Sequence, residues 1–378
     1  VLALGGIAAE SASAAPPKCR INGAGASYGT LQEAADAASP GATLRVRGTC
    51  FGDAIVSKDL TIVGQSRHGR GVGQAILNGG NHGLINSGRV LTVEEGATVT
   101  ITRLTVTGGQ TVMGAGILNR GTLMLAHVTV AGNAADCYIG CGGPGPIGGG
   151  ILNEGALTLD HSIVAQNFGA NDGGGIWNVG HVTLDHSTVS DNESGEGGGI
   201  WNDDAGTVPG TVTLNHSRVT GNTARDSGGG IGNTTGTIVL NYSTVSGNSA
   251  STGGGIRNLS ILRIIGKHPG PKGTVTLNHS TVTSNTAQLK GGGVENQEGP
   301  LTLNDSAISH NTAEEGGGLS NRNEGSVTLN GSSSITRNMA SIDGGGIYNE
   351  PSTGATLTFG VEWRGRVSGN QPDDIFTG

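Results

Sequence analysis

A four-residue element recurs nine times in this chain: glycine, an aliphatic residue, one variable residue, asparagine. The copies are Gly116–Asn119, Gly150–Asn153, Gly175–Asn178, Gly199–Asn202, Gly230–Asn233, Gly255–Asn258, Gly293–Asn296, Gly318–Asn321 and Gly346–Asn349. All but the first follow two further glycines, and successive asparagines stand 34, 25, 24, 31, 25, 38, 25 and 28 residues apart. Self-similarity at a short fixed period is the mark of a stacked repeat. A base period of 24–25 residues with insertions leaves one coil of chain per copy.

The stretch from Gly173 to Glu196 shows what one period contains. Ile176, Val182, Leu184 and Val189 alternate with polar or small residues. Period-two alternation marks strands with one buried face, and the repeat has no helical spacing. The chain therefore reads as all-β, a right-handed parallel β-helix solenoid with about three strands per 24–25-residue coil. Equivalent strands of successive coils would pair in parallel about 4.8 Å apart. Two asparagine rows are placed to stack as amide ladders. One is the asparagine of the repeated element; the other is Asn133, Asn167, Asn192, Asn222, Asn248, Asn285, Asn311 and Asn338.

Composition agrees. Glycine supplies 72 of 378 residues and aromatics only 3%, which suits tight turns around a narrow aliphatic interior. Irregular glycine spacing excludes collagen. A charged fraction of 13% excludes a disordered polyelectrolyte, and a net charge of −8 argues against a nucleic-acid partner.

The ends break the pattern. Thr30 and Glu33 spell a capping box, followed by the apolar stripe Leu31, Ala34, Ala35 and Ala38 and the stop Pro40-Gly41. The expected organisation is a signal-peptide remnant over 1–14, ending in Ala12-Ser13-Ala14, then an N-terminal cap with a short helix over 15–42. The β-helix follows over 43–366, and a C-terminal cap over 367–378 carries Pro372 and Phe376. A signal remnant, four cysteines and no long apolar run point to a secreted, extracellular monomer without a membrane span. Cys19 with Cys50, and Cys137 with Cys141, are the economical disulfides.

The stretch Tyr28–Val46, with Leu60-Thr-Ile-Val-Gly64, resembles the opening of pectin-lyase-like right-handed β-helix proteins. The GGGIxN and VxxN repeats are similar to those of secreted bacterial β-helix proteins, and more distantly to the repeats of polymorphic outer-membrane proteins. The resemblance spans nearly the whole mature chain. It implies the fold and leaves activity open, because the superfamily holds lyases, hydrolases, epimerases, esterases and adhesins.

Catalytic signatures of such enzymes are mostly missing. Leu159-Asp160-His161 and Leu184-Asp185-His186 look like part of the pectate-lyase strand whose aspartate holds Ca²⁺, but no R-x-P-x-x-R segment accompanies them. Should the chain be a lyase or hydrolase of an acidic polysaccharide, Asp160, Asp185, Asp203 and Asp204 are its candidate acids or metal ligands, with Ca²⁺ as the ion. Otherwise no cofactor is required.

Three rows bear on binding. The variable residue of the repeated element, neighbour to an inward aliphatic, should point outward and expose Trp177 beside Trp201. Such a pair can stack on sugar rings, with Asp203, Asp204 and Arg257 near enough in sequence to bond hydroxyls. The competing expectation is that the 136–147 or 203–210 insertion folds over the rings. A second row is His127, His161, His186, His216 and His279, with Tyr242 and Asp305 at the same repeat position. Stacked imidazoles could hold a transition metal, making His161, His186 and His216 candidate ligands, or they are simply polar turn residues copied by duplication. A third row, Asp172, Glu196, Asp226, Glu315 and Asp343, precedes the glycine triplets and reads as solvated turn charge rather than a Ca²⁺ site.

The function that fits best is binding of carbohydrate or a cell-surface partner without catalysis. An ice-binding face would need regular outward T-x-T rows. Thr211-Val-Thr213 and Thr274-Val-Thr276 supply the motif, while Val99–Thr102 and Leu301–Leu303 read as out of register with it.

Overall fold

The computed structural model describes residues 19–23, 25–65, 75–80, 88–137, 145–204, 209–259 and 272–377. The expected signal remnant over 1–14 and Cys141 lie outside the described residues.

The chain winds as a parallel β-solenoid. One coil runs Ile176–Asn178, His181–Asp185, Thr188–Ser190 and Glu193–Glu196, and these strands belong to four sheets, here I to IV in that order. Among the described residues sheets I to IV hold 12, 14, 12 and 9 strands. The first three segments are those that the alternation marks. The strand of sheet IV joins them as a short fourth segment whose pairing shifts register from coil to coil.

Inward side chains sit on their copies. Val182 pairs in register with Leu157 on one side and Val212 on the other, and Leu184 with Leu159 and Leu214. All six are essentially without solvent exposure and belong to one continuous aliphatic core. Both asparagine ladders form. Asn153, Asn178, Asn202 and Asn233 pass an amide hydrogen bond from coil to coil at 2.7–2.8 Å. Asn192, Asn222, Asn248 and Asn285 do so at 2.9–3.0 Å. A third buried ladder is made by serine: the backbone N–H of Ser162, Ser187, Ser217 and Ser243 each donates to the next serine hydroxyl at 3.0 Å.

The glycine triplets are a matter of space. A Cβ on Gly174 would lie 2.4 Å from the Glu193 carbonyl oxygen, and one on Gly175 would lie 2.5 Å from that of Gly199. Adjacent triplets hydrogen-bond directly, so no side chain fits between them.

At the N-terminal end, helix α1 (Leu31–Ala37) carries the capping box, with Thr30 and Glu33 bonded reciprocally. Leu31, Ala34 and Ala35 press into the core. Cys19 and Cys50 are joined by a disulfide, and Cys137 is also disulfide-bonded. The closing segment, expected to break the repeat, instead extends it. Arg366–Ser368 and Ile375–Thr377 add strands to sheets III and I, and Asn370 continues the second asparagine ladder. No helix among the described residues is long and apolar enough to cross a membrane.

Sheet II corrects one expectation. Val99–Thr102 and Leu301–Leu303 are in register with the T-x-T strands: Thr100 is linked through Met124 and Thr158 to Thr183 and Thr213, and Thr276 pairs with Thr302. The apparent offset came from strand boundaries read one residue apart; the threonines form one outward row.

Candidate functional site

Sheets IV and I meet at the glycine triplet, and the turn is sharp enough to make two rows of side chains face each other. The floor row, on sheet I, is Leu118, Leu152, Trp177, Trp201, Gly232, Arg257, Glu295, Ser320 and Tyr348 in register. The wall row, along sheet IV, is Met113, Ile147, Asp172, Glu196, Ser227, Thr252, Lys290, Glu315 and Asp343. Side chains of the two rows meet across the gap, so the groove between them is largely filled: Leu118, Ile147, Leu152, Trp201, Glu295 and Ser320 are all buried. Met113 and Ile147 pack with Leu118, Leu152 and Trp177. Arg257 donates to the Ser227 hydroxyl at 2.6 Å and lies 3.6 Å from Glu196. Lys290 sits 5.4 Å over the Tyr348 ring.

The groove changes character along its length. Its first coils are apolar and aromatic; its middle is charged. Glu295 has no solvent exposure and lies between two cations, Arg257 at 3.4 Å and Arg322. Gln297 donates a further hydrogen bond to it at 2.7 Å.

Asp172 and Glu196 are neighbours in the wall row. Burial, with Glu196, Asp203 and Asp226 nearby, pushes the Asp172 carboxyl up to about 7. Burial also raises Glu196, against the pull of Arg257 and a hydrogen bond from Ser227. An acid whose native pKa is about 7 against an ordinary 3.8 keeps its proton in the folded state where the unfolded chain has lost it. Stability then falls as pH rises from about 4 to about 7 and levels off above that. Thermal midpoints measured across this window should decline, and Asp172→Asn should flatten the slope. An identical slope in the variant contradicts this account.

The sequence-derived candidates fare differently. Trp177 and Trp201 do occupy neighbouring positions in register. They are not an exposed platform: Trp201 is 4% exposed and Trp177 half-buried. The cause is the groove itself. Gly197 of the turn lies against the Trp201 Cα and Cβ, and the Trp201 ring fills the space that a side chain at Gly232 would take, 2.1 Å from its Cβ position. Ile147, at the end of the first insertion, covers Trp177. Arg257 lines the floor of the same groove, and Asp203 is close enough to raise Asp172. Asp203 is bound to the Thr234 hydroxyl at 2.6 Å and to the Asp204 N–H at 2.8 Å.

Asp160 and Asp185 pair with each other at the far end of sheet II strands. A five-residue strand, about 17 Å of chain, separates that edge from the edge where Asp203 and Asp204 lie. The four aspartates do not converge. In the acidic row, Ser227 rather than Asp226 takes the wall position, because the bulge of sheet IV absorbs one residue.

The histidine row forms a stack of rings. His127, His161, His186, His216, Tyr242 and His279 follow one another at centroid spacings of 4.8–5.2 Å. Each occupies a left-handed turn, with φ between 47° and 55°, a conformation in which His, Asn and Asp are enriched. His161 and His186 lie parallel within 7°, and His186 and His216 within 13°. Near-parallel rings turn faces, not nitrogens, toward one another. No group of three or more His, Cys, Asp and Glu side chains among the described residues is placed to hold a metal ion.

Comparison with protein-family models, curated proteins and solved structures returned no match.

Proposed function

We propose that this chain is a secreted, pectin-lyase-like β-helix that binds carbohydrate or another cell-surface component along its side, as a monomer and without catalysis. The observation that carries this reading is the pair of facing rows, apolar and aromatic over the first coils and hydrogen-bonding over the middle, at which Trp177, Asp172 and Glu196 stay half-exposed. An extended sugar chain has the same mixture of flat apolar faces and hydroxyls. Trp177 offers an aromatic contact, Asp172 and Glu196 of the wall row lie near it, and Arg257 stands three coils further along. The two rows together hold five carboxyl groups, Asp172, Glu196, Glu295, Glu315 and Asp343, against the two cations Arg257 and Lys290, so a neutral glycan suits the groove better than a polyanion.

A glycan array probed with the parent and with Trp177→Ala tests this. The parent should retain a neutral extended glycan, with the signal weakened in the variant. Retention of no glycan by either chain counts against the proposal.

The second reading is a polysaccharide lyase or glycoside hydrolase acting on an acidic polysaccharide, with Ca²⁺ as its ion. One observation favours it: a carboxyl that holds its proton to about pH 7 beside a second carboxyl and an arginine. Release of unsaturated or reducing ends from acidic polysaccharides in the presence of Ca²⁺ would establish it, and absence of turnover across several such substrates would remove it.

A further inference from the structure

We propose that the outward face of sheet II over the five strands from Thr211–Asn215 to Ser326–Asn330 is an ice-binding surface, an uncharged array of threonine hydroxyls and asparagine amides that holds water in an ice-like arrangement. This face is separate from the groove and does not depend on the reading given for it.

The array is two-dimensional. Within these strands Thr213, Thr276, Thr302 and Thr328 occupy one central row, broken by Val239; the row also includes Thr158 and Thr183, on strands that carry outward Asp160, His181 and Asp185. Flanking it are an outer row containing Thr211, Thr237 and Thr274 and a row of Asn215, Asn241, Asn278, Asn304 and Asn330. Strand spacing sets a repeat of about 4.8 Å in one direction, and alternate residues of a strand set about 6.6 Å in the other. The first is close to an oxygen repeat of hexagonal ice. Pairings in sheet II show no register shift, whereas sheet IV shifts at nearly every coil.

The groups are rigid and free. Threonine is branched at Cβ and holds few rotamers, so equivalent hydroxyls repeat with the backbone. None of the six central-row threonine hydroxyls hydrogen-bonds to the protein. The asparagines are fixed by their own ladder at 2.8–2.9 Å. On sheet III, by contrast, neighbouring hydroxyls satisfy one another, as Ser246 does with Thr220 and Thr283 with Ser309, each at 3.2 Å.

Charge points to the occupant. The chain carries a net charge of −8, yet the outward positions of the five strands from Thr211–Asn215 to Ser326–Asn330 include no ionisable and no aromatic residue. A strictly neutral face complements an uncharged lattice. Crystalline polysaccharide, the other periodic neutral surface, is normally gripped by flat aromatic side chains; the strand positions of this face hold none, and the rings of His216, Tyr242 and His279 stand at the turn beyond its asparagine edge.

The test uses the full chain and measures thermal hysteresis and partition into a growing ice front. Thr213→Lys and Thr276→Lys place charge in the central row, and Thr213→Val removes a hydroxyl while keeping shape. Thr281→Lys on sheet III is the control, and thermal melts establish that each variant is folded. The expected result is ice partition by the parent and control, with loss in the two lysine variants. A parent that stays in the liquid and shows no hysteresis overturns the proposal, as do lysine variants that match the parent. Binding of the parent to crystalline chitin or cellulose without ice activity also overturns it and assigns the face to polysaccharide.

Discussion

Replacing Asn222 with alanine should lower the unfolding free energy by roughly 4 kcal/mol, at about 1 kcal/mol net for each buried hydrogen bond removed. The side chain has no solvent exposure. Its Nδ2 gives its two protons to Asn248 Oδ1 and the Val189 carbonyl, with the Thr220 carbonyl as a longer, shared contact, and its Oδ1 accepts from the Nδ2 and the backbone N–H of Asn192. Alanine removes all four buried bonds. Each coil touches only its neighbours, so the damage should be local at first. Hydrogen exchange of the coils around Asn192 and Asn248 should accelerate before the urea transition of the whole chain is reached. Asn241→Ala is the comparison. That residue belongs to the half-exposed ladder on sheet II, where water replaces what is lost, and its cost should stay near or below 1 kcal/mol. Equal losses at positions 222 and 241 would mean that burial is not what gives the inner ladder its strength.

The inner ladders were legible because a solenoid turns sequence rows into spatial rows. The interval between Asn192 and Asn222 in the text becomes a 2.9 Å hydrogen bond in space. The same logic put His161 over His186 and Trp177 over Trp201. Rows do not say how deep a side chain lies. Whether Trp201 faces solvent depends on the angle at which sheet IV turns into sheet I, and the glycine triplets mark that turn in the sequence without stating its sharpness. The strand of sheet IV was hidden for a related reason. In Glu193–Glu196 the inward residue is Ser194, with Gly195 beside it, so no apolar alternation marks it. The serine ladder did leave a signal: Ser162, Ser187, Ser217, Ser243 and Ser280 each follow the ring of the His–Tyr row. Both rows of the groove were legible too, but not that they face each other, because they come from separate strands and meet only when the coil closes.

The central charges of that groove make the last prediction. Glu295 is wholly buried, and its charge is balanced by Arg257 and Arg322, which come from the coils on either side. Taking a carboxylate out of water is costly, and the attraction of two guanidinium groups offsets that cost only while both are present. Arg322→Met alone leaves Arg257 and the Gln297 amide in place and should be tolerated. Arg257→Met with Arg322→Met strands the carboxylate and should cost about 3–5 kcal/mol. Adding Glu295→Leu to that pair should restore most of the loss, since a packed apolar trio needs no compensation. Urea midpoints of the four chains decide the matter: a double variant as stable as the parent would show that Glu295 does not rely on its arginines. The triple variant then separates folding from recognition. It keeps the solenoid while removing Arg257 and Glu295 from the groove floor, so a ligand that still binds it is held by the aromatic end, and one that is lost was held by the charged middle.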